Sequence, residues 1–563
     1  MSPSRPPRRR IGDHVGVDAA SLAPDAEGEL GSSTGPAWAR AVLLPGAITL
    51  WCLHSLLAPG YVLQIDSIFG PNMPLSLSWV GAPLTLVAHL LGGYWSGRLY
   101  LGLAIFLCGF GPMVLVRRVT WVAQVPAGLL GALNPFVYER MVEGQWGVAA
   151  GAGMLFLWLS SWEALLQRPS LRRLALVSGA GWLAVVLDQH TIGVLLVLAA
   201  ASLVWRRAWR EPRALVWALT SFVVLLAALS YSLPAFFLGH ENGTYYSVEH
   251  FSRADLVEFR STASPRYGLW VNLLGLYGFW AERLGRIPML DSGSPWWPLG
   301  AGVFAALTIA GAWTERERAW LFGCGVLGLL VAGSTSTGPG QTAFLWLMQR
   351  IPLIGAYREP EKWSELWLLA VVVLSATLID RLRRPPAHAL LSGAMSLVLV
   401  AATLLPAGAA MLRELPATVR PARYPTDWYQ AASYMRHNVP ESARVLVLPW
   451  TLYEELPFTG NVLSANPAPV FFPGTLVSPS DIQIPGAVTE ARAPGNLTKI
   501  ALAPLAPDCA LAKGIRRLGI SWVLVEPAPG SAQVESAVLT CGFHIRFGQP
   551  PGLVLLGAWV SNG

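Results

Sequence analysis

Long apolar runs separated by short polar connections dominate this chain. They cover roughly residues 38–58, 98–116, 119–133, 146–166, 172–188, 190–205, 214–237, 296–313, 319–337, 364–380 and 388–408. A bilayer asks for about 20 consecutive apolar residues per helix. The pattern therefore predicts a polytopic α-helical membrane protein with about 11 transmembrane helices, the runs at 119–133 and 190–205 being the weakest. WVGAPLTLVAHLL (79–91) is short and contains His89, so it is read as lying along the outer interface. Residues 1–37 are Pro-, Ser- and charge-rich with no apolar period and read as a disordered tail. The first apolar run is long enough to span, which argues against a cleaved signal peptide.

After residue 408 the pattern changes to that of a soluble domain. TDWYQAASYMRHN (426–438) reads as a helix with Thr426 as N-cap, and RVLVLPW (444–450), ISWVLVE (520–526) and GLVLLGAW (552–559) read as buried strands. The expected organisation is a tail (1–37), a helical bundle (38–408) and a small C-terminal α/β domain (409–563).

Charge gives this bundle an orientation. Charged residues make up only 13% of the 563, against about 25% in soluble proteins. The net +7 comes from arginine clusters in connections rather than along one face, which favours topology over nucleic acid as the explanation. RRR (8–10), Arg117 with Arg118, RPSLRR (168–173), WRRAWREPR (205–213), TERERAW (314–320) and RLRRPP (381–386) fall on alternate connections. Short cytoplasmic loops are rich in arginine, so the N-terminus is expected inside and the domain after 408 outside. The outward connections then share a character. They hold Asp66 in GYVLQIDSIFGP, Glu139, Arg140 and Glu143 in NPFVYERMVEGQW, and Asp188 and His190 in LDQHTIG. Two more are the long loop at 239–268 and GAYREPEKW with Arg358 and Lys362. Ionisable groups gathered beside one membrane surface imply a pocket there. Helical spacing places Glu139 and Glu143 on one face, with Arg140 as a local partner for Glu143 at i+3.

Several chemistries lack their motifs. There is no Walker loop, no GxGxxG between strand and helix, no HExxH and no CxxC. ATP-driven transport, dinucleotide redox chemistry and a structural zinc site lose support. A secondary transporter would show paired broken helices and internal symmetry, and no convincing repeat is present. An outer-face enzyme has no ready cytoplasmic nucleotide donor, so a lipid carrier is the obvious source of an activated substrate. Cys52, Cys108 and Cys324 lie in spans, whereas Cys509 and Cys541 share the outer domain, where a disulfide and two buried thiols are both open readings.

Taken in chain order, GYVLQIDSIFGP, NPFVYERMVEGQW, GAYREPEKW, YPTDWYQ and VLVLPW resemble actinobacterial GT-C glycosyltransferases. The likeness is greatest to the membrane part of arabinofuranosyltransferase-type enzymes and covers nearly the whole chain after residue 37. It implies a polyprenyl-phosphate sugar donor, a cell-envelope polysaccharide or glycolipid acceptor in the cytoplasmic membrane, and an essential acid in the first outward loop. Only Asp66 matches that acid; it stands alone, without an Asp-Asp or Asp-Glu pair, which leaves a divalent metal (Mg or Mn) an open requirement. The reaction needs a carboxylate as general base, for which Asp66 is the candidate, with Glu139 or Glu143 facing acceptor hydroxyls. It also needs cations beside the departing phosphate: Arg140, Arg358 and Lys362, for the last two of which pairing with Glu359 and Glu361 is the plainer reading. Asp188 and His190 fit a proton relay, a metal pair or helix capping. A GT-C-like protein that binds or scaffolds cell-envelope polysaccharide without catalysis is the alternative.

Overall fold

The computed structural model describes residues 34–76, 80–233, 250–351, 354–383, 386–479 and 509–558. The tail up to residue 33 and the 239–249 part of the long outward loop lie outside the described residues. The first helix, Thr34–Cys52, starts inside the stretch read as tail.

Every apolar run carries a helix, but the helices are not equivalent. Among the described residues, five are long and apolar enough to cross a membrane: Ala82–Leu115, Trp146–Gln167, Pro212–Ser232, Trp296–Thr314 and Ala389–Thr418. A sixth span results if Arg316–Ser334 and Gly338–Met348, bent by 97°, count as one. The chain is a multi-pass membrane protein. Trp121–Ala132 has 12 residues, about 18 Å of helix, and packs among the 82–115, 364–383 and 389–403 helices rather than reaching both interfaces alone. The helix Gly338–Met348 was not signalled by the apolar pattern. The last bundle helix passes through a π turn at Leu404–Gly408 and continues to Thr418, beyond the expected end at 408.

The runs at 79–91 and 98–116 form one helical stretch broken at Gly92 (φ 73, ψ 157), a backbone state that only glycine adopts without strain. They are two helices joined end to end. Ser364–Arg383 is the central helix, its residues 364–376 all buried, because a helix apolar all round needs protein or lipid on every side. Lipid is the other solution. On Pro212–Leu229, Val216, Val223 and Leu226 are 60%, 65% and 58% exposed, a face that only hydrocarbon would cover.

The arginine-bearing connections meet at one end of the bundle. Arg318 pairs with Glu163 at 2.7 Å, Arg206 approaches the same carboxylate at 3.9 Å, and Arg381 lies 3.8 Å from Glu315. Arg117 donates to Ser160 Oγ at 3.0 Å. The helices Trp146–Gln167, Leu171–Leu187, Thr191–Trp205 and Ser364–Arg383 each join this end to the other, where the outward connections lie.

After the bundle comes a five-stranded sheet in the order Thr475–Val477, Arg444–Leu448, Trp522–Val525, Val554–Ala558, Phe543–Phe547. The first three strands are parallel and the last two antiparallel to their neighbours. Val445, Val447, Leu524 and Leu555 face the helix Thr426–Asn438. Leu446, Leu448, Val523 and Leu556 face Ala510–Arg517 and Ser531–Leu539. With both faces covered, the strands read as continuous apolar runs. The helix buries Trp428, Ala431, Ala432 and Met435 at helical spacing, but its N-cap is Pro425, with Thr426 the first helical residue.

Cys509 and Cys541 are joined by a disulfide. Closing a loop of this length removes unfolded-state entropy worth roughly 3 to 4 kcal/mol. The Cys509→Ala/Cys541→Ala double variant is expected to lower the unfolding temperature of the sheet region by that equivalent. Reductant should then have no additional effect on it, as read by thermal scans of the full chain in detergent.

Candidate functional site

The first outward loop brings Asp66 against the end of the helix Pro135–Glu143. Asn134 caps that helix by accepting from Val137 N–H at 3.1 Å, Pro135 fits its first turn, and Gly144 ends it in the left-handed region (φ 89). Asp66 N–H donates to Glu143 O at 2.8 Å, Gln64 Nε2 donates to Met141 O at 2.8 Å, and Ser67 Oγ donates to Gly144 O. A Cβ on Gly144 would meet Ser67 N at 2.9 Å and Gln64 Cβ at 3.1 Å. Gly144→Ala is therefore expected to cost about 1 kcal/mol or more and to displace Asp66. A lowered melting temperature together with reduced activity would register both effects.

Asp66 Oδ2 accepts from Gln145 Nε2 at 2.9 Å, and Oδ1 accepts from the Tyr453 hydroxyl at 2.9 Å. Asp66 is exposed, but Gln145 and Tyr453 engage both of its carboxylate oxygens and the protein around it displaces part of its water. Burial raises its carboxyl above the usual range, the bonds from Gln145 and Tyr453 pull it back, Glu359 adds to the rise and Arg286 opposes it. Glu143 is buried, and its two carboxyl oxygens have no hydrogen-bond partner among the described residues. Burial, then Asp66, pushes Glu143 well above the usual range against Arg286 and Arg140.

Glu139 and Glu143 do not share a surface. Glu139 Oε1 accepts from Gly278 and Phe279 N–H, both at 3.0 Å, which fixes the 275–280 loop. Burial and then Glu139 push the neighbouring Glu282 up to about 12. Glu139 is thus a buried loop anchor and faces no acceptor.

Arg140 corrects the sequence reading in two ways. It pairs with Glu361 at 2.9 Å and Glu359 at 3.5 Å, and donates to Gln145 Oε1 at 2.6 Å, instead of pairing with Glu143. Its side chain is 0% exposed and its guanidinium carbon lies 4.1 Å from the Phe279 ring centroid. A donor phosphate cannot reach it. An i+3 contact is available on any helix, but two carboxylates from the 359–361 turn neutralise a buried guanidinium far better.

The same turn ties in the remaining candidates. Lys362 Nζ lies 3.4 Å from Glu359 Oε2 and 3.2 Å from His190 Nδ1. His190 Nδ1 is 2.7 Å from Asp188 Oδ1, and its Nε2 is 2.5 Å from Ala356 O. Asp188 is held below the usual carboxylate range: burial works upward, and His190 and Lys362 overcome it. Against burial, Lys362, Arg140 and Arg358 hold Glu359 down at about 2. Burial pushes Glu361 up to about 7 despite Arg140. Arg358 is partly exposed and stacks on Phe259 at 5.0 Å. Asp66, Gln145, Arg140, Glu359, Lys362, His190 and Asp188 therefore form one connected polar chain drawn from four connections.

No protein-family model matches the sequence, and neither does any curated protein. Among solved structures, arabinofuranosyltransferase AftD from Mycobacteria superposes with a TM-score of 0.59 at 15% identity, over 93% of this chain and 40% of AftD. The two share a fold over that span. Two structures of an AftD mutant agree, with TM-scores of 0.58 and 0.53 at 15% identity, over 93% of this chain and 42% of theirs. This chain thus spans about two fifths of the AftD length.

No three His, Cys, Asp or Glu side chains converge as a metal-ligand set among the described residues. Both Asp66 oxygens already accept hydrogen bonds. Among the described residues Asp66 thus has no second and third ligand set beside it for a Mg or Mn ion. Gln145 and Arg286 also belong to the site although the sequence gave them no role; Glu359 and Glu361, expected as partners of Arg358 and Lys362, pair with Arg140 as well, and Glu359 with Lys362. Tyr453 lies in no motif, and only its contact with Asp66 reveals it.

Proposed function

We propose that this chain is a membrane glycosyltransferase. It transfers a sugar from a polyprenyl-phosphate donor to a cell-envelope polysaccharide or glycolipid at the outer face of the cytoplasmic membrane. The observation that carries the reading is the exposed Asp66 carboxylate, held by Gln145 and Tyr453 at the bundle end remote from the arginine clusters, with Lys362 joined to it through Gln145, Arg140 and Glu359. In this reading Asp66 accepts the proton of an acceptor hydroxyl as its oxygen attacks the anomeric carbon. The bond from that carbon to the phosphate oxygen breaks. The lipid phosphate leaves with its charge beside Arg358 and Lys362, whose field needs no reorganisation. Asp188 and His190 orient the Lys362 ammonium. A multi-pass bundle, a cytoplasmic N-terminus and an outer domain from 409 to 563 complete the proposal. Because AftD is an arabinofuranosyltransferase, arabinofuranose is the first donor sugar to test. Purified full-length protein in liposomes should move radiolabelled sugar from a polyprenyl-phosphate donor to an oligosaccharide acceptor. Saccharide binding without transfer from any donor in a panel would overturn the enzyme reading in favour of a scaffold.

A further inference from the structure

The residues after 408 reach back repeatedly onto the loop that carries Asp66. Tyr61 and Val62 pair with Ala422 and Pro421 as an antiparallel ladder. Ala465 N–H donates to Ile65 O at 3.0 Å, Asn72 N–H donates to Val470 O at 2.9 Å, and the Tyr424 hydroxyl donates to Phe69 O at 3.2 Å. Within that frame, Tyr453 touches the site itself. It opens the strand Tyr453–Glu455, paired antiparallel with Leu463–Ala465, and its hydroxyl lies 2.9 Å from Asp66 Oδ1.

The hairpin is held from its other face. Alternation along a strand sends Glu454 away from Tyr453, and Glu454 Oε1 accepts from Thr451 Oγ1 at 2.9 Å and Asn466 Nδ2 at 3.2 Å. Asn466 also bridges to Glu526, at the end of a central strand, at 2.5 Å. The Arg286 guanidinium lies 4.6 Å from the Tyr453 ring centroid and fixes the ring plane. A phenol so restrained loses little freedom on binding a carboxylate, so its effect is on where that carboxylate points.

We propose that Tyr453 is a positioning residue for the transfer reaction. It fixes Asp66 Oδ1 so that the remaining lone pairs meet the acceptor hydroxyl, and the region after 408 thereby completes a site otherwise built by the bundle. This rests on Asp66 being the general base. The groups that face Asp66 are the Glu143 and Glu359 carboxyls, the Arg286 guanidinium, the Gln145 amide and the Tyr453 phenol. A hydrogen bond to a carboxylate favours its ionised form. Losing the phenol therefore makes Asp66 harder to ionise, and the acid limb of the rate profile moves to higher pH.

The test uses full-length protein in liposomes with the donor and acceptor described above. Tyr453→Phe should lower kcat about tenfold near neutral pH, keep KM within about twofold, and shift the acid limb up by about one pH unit. Activity should recover at higher pH. Replacing Tyr453 with 3,5-difluorotyrosine, a stronger donor of the same shape, should move the limb the opposite way; it also carries the test if the phenylalanine variant does not fold. A limb that coincides with wild type in both variants, whether activity is full or uniformly reduced, overturns the proposal. Asp66→Asn separates the two claims. Full activity there removes the base assignment itself, whereas an inactive Asp66→Asn with an unmoved Tyr453→Phe limb removes only the role of Tyr453.

Discussion

Asp66→Asn is expected to lower kcat for sugar transfer by about 100- to 10,000-fold, the range ascribed to a positioned general base. The amide keeps the shape of the carboxylate and can still accept from either Gln145 or Tyr453, so the loop should stay in place and donor binding should change little. What it loses is the capacity to take a proton. Glu143→Gln is the internal comparison. Burial and the adjacent Asp66 already keep the Glu143 carboxyl well above the usual range, so an uncharged amide there should retain activity within a few-fold. Radiolabel transfer by the two variants, measured side by side, decides the matter. Equal loss in both would mean that the pair shares the proton and that Asp66 is not the base alone.

The largest stability effect is expected at Arg140. Arg140→Met should destabilise the protein by about 3 to 5 kcal/mol, the cost of breaking a buried ion pair by removing one partner. The guanidinium has no exposed surface and neutralises Glu359 and Glu361 together. The triple variant Arg140→Met/Glu359→Gln/Glu361→Gln should recover most of the loss, because no uncompensated charge remains. Thermal unfolding in detergent reads both, and a single variant that melts with wild type would show that the cluster does not depend on Arg140. The acid dependence has a defined sign. Glu359 is held at about 2, below the ordinary value near 4.3. Its contribution is thus complete above about pH 4.3 and is lost as pH falls toward 2. In Arg140→Met the contribution should be smaller and its loss complete at a higher pH.

Much of this was legible in the sequence because hydrocarbon imposes simple rules. Apolar runs marked the helices, and the arginine parity placed Asp66, Arg140, His190 and Lys362 at a common end, where they do meet. The limits are equally physical. Run length does not distinguish a crossing helix from Trp121–Ala132, whose surroundings are protein. Local spacing suggested an Arg140–Glu143 pair, and it put Glu139 and Glu143 to one use, because helical neighbours are the only partners a sequence displays. The charged partners of Arg140 lie more than 200 positions away, with Glu361 separated by 221. Tyr453 was silent for the same reason, and Glu139 serves backbone N–H groups, which leave no mark in composition.

The separation of Tyr453 from Asp66, 387 positions, has a consequence for biosynthesis. At about 5 to 20 residues per second, the ribosome delivers Tyr453 roughly 20 to 80 s after the loop it holds. Throughout that interval the bundle can insert and pack, but the Asp66 loop lacks its clamps from Ala422, Tyr453, Ala465 and Val470. A nascent chain is therefore embedded in the membrane before it is competent. Premature termination anywhere before the hairpin should leave inert protein rather than an unregulated transferase.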